Sequence, residues 1–133
     1  MGLIRQHVRL SNPHEPELED IDAMALVDSG AAELCVPEHI AQQLKLKHAG
    51  ERIVELADGS RQSADLMITV KLDVFGLSWA GQAVVVGNEV LLGALPMESL
   101  GLQIDPRGRR VFPDPASPNI PTAVVKGLQR DLR

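Results

Sequence analysis

The sequence predicts an all-β domain, a barrel or a sandwich, that carries two short helices. Many short apolar runs are separated by Gly, Pro, Asn and Asp, and only two stretches have helix signals. Helices and strands do not alternate, so the pattern is not typical of a parallel α/β sheet. With 133 residues and 44% hydrophobic composition, the chain is long enough for one domain with a core.

Two strands are predicted in the first 27 residues. Apolar and polar residues alternate over residues 3–10, which is typical of a half-buried strand. Two prolines and an Asn-Pro pair in residues 11–16 end that strand in a loop. Residues 21–27 become continuously apolar towards Asp28, as in a strand buried on both faces.

A short strand and a helix are predicted next. Residues 32–36 favour a strand, and Pro37 stands at a suitable position for the start of a helix through Leu44. The basic residues Lys45, Lys47 and His48 then fall near the negative pole of the helix dipole.

A projecting hairpin is predicted around Asp58 and Gly59. Strand patterns over residues 52–57 and 60–72 flank this pair, and Asp-Gly tolerates the positive φ values of a two-residue turn. The hairpin is expected to extend away from the rest of the domain.

The remaining elements follow from turn residues and short apolar runs. A turn is predicted near Phe75 and Gly76, and a brief helix with proline near its start and glycine at its end over residues 95–101. The other predicted strands cover residues 78–86, 90–93, 102–105 and 110–112. We expect residues 1–112 to form the domain and residues 113–133 to be a proline-rich tail, extended or disordered, with a frayed helix possible over 124–133.

Composition and charge exclude several classes of function. A net charge of -5 and 2% aromatic residues disfavour a nucleic-acid partner, because such sites need clustered cations and stacking side chains. Apolar runs are too short for a membrane span, and the first residues contain no signal-peptide core. Cys35, the single cysteine, excludes an internal disulfide. We therefore expect a soluble, cytoplasmic protein that binds neither membrane nor nucleic acid.

The candidate chemical group is the carboxylate of Asp28, in the sequence Asp28-Ser29-Gly30-Ala31. An acid placed directly after a buried strand lies where its surroundings can adapt it to acid-base chemistry. By itself, however, Asp-Ser-Gly is equally consistent with an ordinary turn.

Other candidate sites have less support. Cys35 with His39 could form a nucleophile pair, but a small core cysteine fits its apolar neighbours better. Ser29 has no identifiable general base in the sequence. The four histidines lack the spacing of metal ligands, so no metal site is predicted.

Several features together resemble the retropepsin-like aspartic proteases, in particular their bacterial single-domain members. These features are the apolar strand before Asp28-Ser29-Gly30-Ala31, the hairpin at Asp58-Gly59, and Leu91-Leu92-Gly93-Ala94 followed by a short helix. The resemblance covers roughly residues 3–112 and implies a closed acid-protease barrel.

The resemblance also implies a function. Aspartic protease chemistry needs two carboxylates that share one proton, and this chain has one such motif. The implied enzyme is a homodimer in which two Asp28 residues activate water to cleave an extended peptide, with no metal or cofactor. Three sets of residues have implied roles. Ser29, Gly30 and Ala31 would support the active-site loop, Leu91, Leu92 and Gly93 would pack behind it, and Ala57, Asp58, Gly59 and Ser60 would form a mobile flap.

Two departures from the retroviral members affect these expectations. The hairpin tip has one glycine and carries charges, where those members have several glycines. Ala94 follows Gly93 where they have arginine, so a buried carboxylate-arginine brace is expected to be lost. The alternative function is a catalytically silent dimeric module that uses the same groove to bind a peptide or to assemble with a partner.

Overall fold

The computed structural model of the chain describes residues 3–127. Strands dominate this range, and two short helices accompany them. The strands are β1 (Arg5–Ser11), β2 (Ile21–Val27), β3 (Leu34–Val36), β4 (Lys47–Glu55), β5 (Arg61–Val74), β6 (Leu77–Val85), β7 (Leu91–Leu92), β8 (Gln103–Asp105) and β9 (Arg110–Phe112). The helices are α1 (Glu38–Gln43) and α2 (Ala94–Leu100).

Six of the strands close into a barrel. Their order is β1-β2-β7-β3-β6-β5, and β5 pairs back with β1 to complete the ring. Strand β4 extends from β5 outside the ring, and β8 pairs with β9 in a separate two-stranded sheet. The predicted mainly β barrel with two helices is therefore confirmed.

The barrel interior is filled by aliphatic side chains. Strands, α1 and α2 all contribute to this core, and its fully buried members include Val8, Leu10, Leu34, Val36, Leu44, Val70, Leu72 and Leu92. A second, smaller cluster joins Cys35, Ala64, Leu66 and Val84 from three neighbouring strands. Alternation along β3 explains the two sets, because successive side chains of a strand point to opposite faces.

The chain between α1 and β4 differs from the prediction. Helix α1 ends at Gln43, Lys45 has a positive φ of 49°, and buried Leu46 leads directly into β4. Lys47 and His48 therefore belong to a strand and do not lie at the helix end. The buried amide of Asn12 donates to the Leu44 carbonyl oxygen at 2.8 Å, which stabilises this sharp exit from the helix.

The turn at the β4–β5 tip and the turn between β5 and β6 differ in length. At the β4–β5 tip, the Gly59 amide donates to the Leu56 carbonyl, and Gly59 has a φ of 84° whereas Asp58 is not among the positive-φ residues. The tip is thus a type I turn followed by a glycine bulge, a three-residue loop and not the predicted two-residue one. Phe75 and Gly76 both have positive φ values, as a two-residue turn requires.

The C-terminal elements lie close to their predicted positions. Helix α2 ends at Gly101, which has a φ of 69° as a left-handed cap. Residues 113–127 contain turns and neither helix nor strand. The part of the predicted C-terminal helix that covers residues 128–133 lies outside the described residues.

Candidate functional site

Asp28 stands where β2 leaves the barrel between two other segments. Its amide donates to the carbonyl oxygen of Leu92 at 3.0 Å, and the preceding amide of Val27 donates to Ile4 at 2.8 Å. Strands β2 and β7 are parallel, with Leu26 opposite Leu91 and Val27 opposite Leu92. The backbone of this acid is therefore fixed by two distant parts of the chain.

The Asp-Ser-Gly sequence forms a tight turn around the carboxylate. One oxygen, Oδ1, accepts a hydrogen bond from the Gly30 amide at 3.0 Å, and the Ala31 amide donates to the Asp28 carbonyl at 3.1 Å. Asp28 is half-buried, whereas Ser29 and Gly30 are exposed. The turn thus presents the carboxylate at the surface of the barrel and not in its core.

The chain after β7 lies directly against the chain after Asp28. The amides of Ala94 and Leu95 donate to the carbonyls of Ala31 and Ala32, each at 2.8 Å. Gly93 lies so close to Glu33 that an added Cβ would be 2.8 Å from its carbonyl carbon. Only glycine allows this approach, which explains the apolar-apolar-Gly sequence of residues 91–93.

A cleft of about 620 Å³ opens between the Asp28 turn and the β4–β5 hairpin. The turn contributes Asp28, Gly30 and Ala31, and the remaining wall is mainly aliphatic. That wall is formed by Cys35, Val54, Glu55, Leu56, Ala57, Val86, Gly87 and Leu91. An extended chain with an apolar side chain would fit these surroundings.

The structure brings together most of the predicted site residues. Asp28, Gly30, Ala31, Leu91 and Ala57 all line the cleft. Leu92 is fully buried behind the loop, and Gly93 packs against it. Three further predicted residues, Asp58, Gly59 and Ser60, are exposed at the hairpin tip beyond the cleft wall.

Sequence reasoning missed several cleft residues. Val54 and Leu56 alternate along the hairpin, so they share one face, and this signal was present in the sequence. Val86 and Gly87 follow β6, which pairs in parallel with β3. No local pattern indicates such a pairing, because it joins segments almost fifty residues apart.

Asp58 stabilises the hairpin tip through local hydrogen bonds. Its Oδ1 accepts from the Ser60 hydroxyl at 2.6 Å and from the Ser60 amide at 2.9 Å. These hydrogen bonds hold the pKa of the exposed Asp58 carboxyl below its usual value. The tip therefore carries a fixed negative charge.

Glu33 has partners that the sequence did not predict. One carboxylate oxygen accepts from the side-chain amide of Gln82 at 2.6 Å, and the other lies 3.4 Å from Nε of Arg52. The carboxylate of Glu33 is thus paired by side chains of β4 and β6.

Cys35 lies in the cleft wall as a protonated thiol. Burial raises its pKa to about 11, and the negative charges of Glu33 and Asp28 contribute. His39 is exposed on α1. The environment therefore disfavours the Cys-His nucleophile that the sequence left open, because the thiolate is the reactive form.

Two further properties concern metals and membranes. Among residues 3–127, no three His, Cys, Asp or Glu side chains cluster closely enough to hold a metal ion. The helices in that range are too short and too polar to cross a membrane.

The sequence and the fold match known proteins. A family model described as aspartyl protease matches residues 15–105. The structure is similar to a retropepsin-like aspartic protease from Rickettsia conorii, at 21% identity over 78% of this chain and 83% of that one, with a TM-score of 0.50. It is also similar to the retroviral protease-like domain of Ddi1 from Leishmania major, at 13% identity over 86% and 91% of the two chains, with a TM-score of 0.54. No curated protein matches the sequence.

Proposed function

Because the chain belongs to the aspartyl protease family and has a retropepsin-like fold, we propose that it is an endopeptidase whose active site is shared by two copies. The observation that carries this proposal is the position of Asp28. Its carboxylate lies on a loop fixed by β7 and α2, and it faces a cleft large enough for a peptide.

The cleft of one chain lacks a second acid on an equivalent loop. Its other carboxylate belongs to Glu55 on the β4–β5 hairpin, which is exposed and lies 3.9 Å from Arg61. Acid-protease chemistry needs two carboxylates about 3 Å apart that share one proton. A two-fold axis beside the exposed Ser29-Gly30 turn would supply the second one from a partner's Asp28.

In the proposed dimer the two carboxylates act as one unit. The ionised member takes a proton from a water molecule while the protonated member donates to the peptide carbonyl oxygen. The hydroxide equivalent adds to the carbonyl carbon. The C–N bond then breaks as the first carboxyl passes its proton to the amine nitrogen, while the other takes a proton back from a hydroxyl of the intermediate as the new carboxyl group forms. Neither a metal nor a cofactor takes part in this proposed reaction.

The remaining predicted residues have supporting roles in this proposal. Ser29 would hydrogen-bond across the axis, and Gly30 and Ala31 would shape the loop around the carboxylates. Leu91, Leu92 and Gly93 would keep that loop in place from behind. The hairpin residues Ala57, Asp58, Gly59 and Ser60 would close over an extended peptide, which would pair with the hairpin as an added strand.

The organisation of the chain and its location belong to the same proposal. Residues 1–112 would form the catalytic domain, and residues 113–133 would be a tail outside it. A single cysteine without a disulfide suits a reducing compartment, so the cytoplasm is the proposed location.

The test combines the substitution Asp28→Asn with subunit mixing. Cleavage of a peptide library at roughly pH 4 to 6 should fall by about 10³-fold or more in the variant. In freely exchanging equal mixtures of wild-type and variant chains, a shared site predicts about a quarter of the wild-type rate and independent sites predict about half. Cleavage that survives Asp28→Asn would refute the proposal.

A catalytically silent dimeric module is the second candidate. The charged hairpin tip favours it, because Asp58 and Arg61 stand at a tip where the retroviral members have several glycines. Such a module would bind peptides with no turnover. Its binding would also gain nothing from a hydroxyl group that imitates the tetrahedral intermediate, whereas an enzyme would bind that inhibitor more tightly.

A further inference from the structure

The β4–β5 hairpin is joined to the Asp28 loop by an ion pair between Glu33 and Arg52. Arg52 lies on β4, two residues before the cleft residue Val54, and Glu33 lies five residues after Asp28. The separation between Arg52 Nε and Glu33 Oε2 is 3.4 Å. This pair therefore connects the two walls of the cleft.

Other ion pairs of β4 do not make this connection. His48 with Asp65 and Glu55 with Arg61 both join β4 to β5, within the hairpin. Strand β4 is the end of the sheet and pairs with β5 as its one neighbour among the described strands. Its backbone pairing with β5 holds this edge strand on one side, and on the side of the Asp28 loop Arg52 reaches across to the carboxylate of Glu33.

Glu33 is well suited to hold a partner. Its side chain is 17% exposed, against 45% for Arg52, so solvent screens the carboxylate less than at a surface pair. Its second oxygen is already occupied by the Gln82 amide at 2.6 Å. Its backbone is pressed against Gly93, which keeps the side chain in register with the Asp28 loop.

The strand pattern explains why the three side chains meet. Gln82 and Val84 share one face of β6, and Arg52 and Val54 share one face of β4. Val84 belongs to the small apolar cluster at the cleft, and Val54 packs against it. Gln82 and Arg52, each two residues earlier on the same face, therefore point towards the same side of the sheet. The residue opposite Arg52 on β5 is the small Ala64, which leaves space for the long side chains to cross.

We infer that Glu33 is a positioning residue that holds the β4–β5 hairpin over Asp28 through Arg52. A recess of about 270 Å³ lies between these segments and is lined by residues 30–33 of the loop and 52–55 of the hairpin. The ion pair sets the width of this recess and hence the space for the peptide. The expected effect on catalysis rests on the proposed function, whereas the effect of the ion pair on the position of the hairpin does not.

The experiment compares Glu33→Gln, Arg52→Gln and the double variant with wild-type protein. Hydrogen exchange of hairpin amides 53–60 is measured without substrate, so this readout needs no activity. Each single variant should exchange about fivefold faster there, the factor expected when a partly exposed ion pair is lost. The double variant should be no faster than the singles, because both lose the same contact.

Arg9→Gln is the matched control. Arg9 forms an exposed pair with Asp22 at 3.2 Å on β1 and β2, away from the cleft, so its loss removes one cation without touching the hairpin. Hairpin exchange should stay at the wild-type rate in this variant. Equal hairpin exchange in Arg52→Gln and Arg9→Gln would overturn the inference.

Kinetics separate positioning from a merely structural role. Glu33→Gln and Arg52→Gln should raise KM by about fivefold and change kcat by less than about twofold, since the hairpin contacts the peptide and not the reacting atoms. Arg52→Lys should recover part of the loss, because it keeps the charge. A fall in kcat with unchanged KM would contradict positioning through the hairpin. If wild-type protein cleaves nothing while the exchange result holds, the proposed function fails and the ion-pair connection stands.

Discussion

The Asp28 loop and the tip of the β4–β5 hairpin are held in different ways. At the loop, the Asp28 amide donates to the carbonyl oxygen of Leu92, more than sixty residues along the chain. The carbonyls of Ala31 and Ala32 are bound by amides of α2. At the tip, the backbone hydrogen bonds join Leu56 to Gly59 and Ser60, within five residues.

From this difference we expect the tip to open more readily than the Asp28 loop. Long-range contacts give the Asp28 loop the stability of the whole domain, because it cannot open without separating β2, β7 and α2. The exposed tip has contacts within itself, so it can open locally at little cost. In the proposed enzyme, a fixed carboxylate would face a hairpin tip that closes over the peptide.

Truncation of one apolar side chain in each region should give the largest difference in stability between the loop and the tip. Leu92 is fully buried behind the loop, whereas Leu56 in the hairpin is 37% exposed. Leu92→Ala should lower the free energy of unfolding by about 3 kcal/mol through lost burial and a cavity, and Leu56→Ala by less than about 1 kcal/mol. Chemical denaturation measures both values. Equal losses would show that the two regions are held alike.

Alanine in place of glycine sharpens the same contrast. At Gly93 the added Cβ would overlap the backbone of Glu33, so we expect a loss of about 2 to 3 kcal/mol. At Gly59 nothing lies within 4 Å, and the cost is the positive φ alone, about 1 kcal/mol.

Thermal or denaturant unfolding of the two variants gives the comparison. Gly127→Ala serves as the control, because nothing lies within 4 Å of that position and its φ is not positive. A Gly93→Ala protein as stable as the control would refute the close approach between the two loops.

The smallest effect concerns the charge at the tip. NMR titration should place the pKa of Asp58 below its usual value, and Ser60→Ala should raise it towards that value by removing the hydroxyl donor. Because the folded pKa is lowered, the contribution of this carboxylate to stability is present above the unfolded pKa and is lost as pH falls through the folded one. The carboxyl of Asp105, held low by the Gly108 amide in another hairpin, is the internal control. A Ser60→Ala variant with an unchanged Asp58 titration would contradict a locally held tip.

Sequence patterns predicted what local contacts determine. Strand β2, the end of α2 at Gly101 and the turn at Phe75-Gly76 follow from apolar runs and glycine positions. The resemblance carried by Asp28-Ser29-Gly30 and Leu91-Leu92-Gly93 indicated the site. The comparisons confirm the family and the fold that this resemblance implied.

Local sequence patterns could not predict the contacts between segments that are far apart in the chain. The parallel pairing of β2 with β7 and of β3 with β6 joins segments far apart in the chain, and its energy depends on closing the barrel. The Glu33–Arg52 pair has the same origin, because it joins the Asp28 loop to a strand that is not paired with it in the sheet. Even the tip turn was wrong in detail, since Asp58 uses its side chain to accept hydrogen bonds where a positive φ was expected.

In the proposed enzyme two Asp28 residues form one active site, so the distance between their carboxylates is the decisive measurement. A crystal structure of the assembled protein with a hydroxyl-containing peptide inhibitor should show carboxylate oxygens of the two Asp28 residues about 3 Å apart, with the inhibitor hydroxyl between them. Asp28 residues that lie far apart in the assembly, or an inhibitor bound to a single chain, would contradict the account.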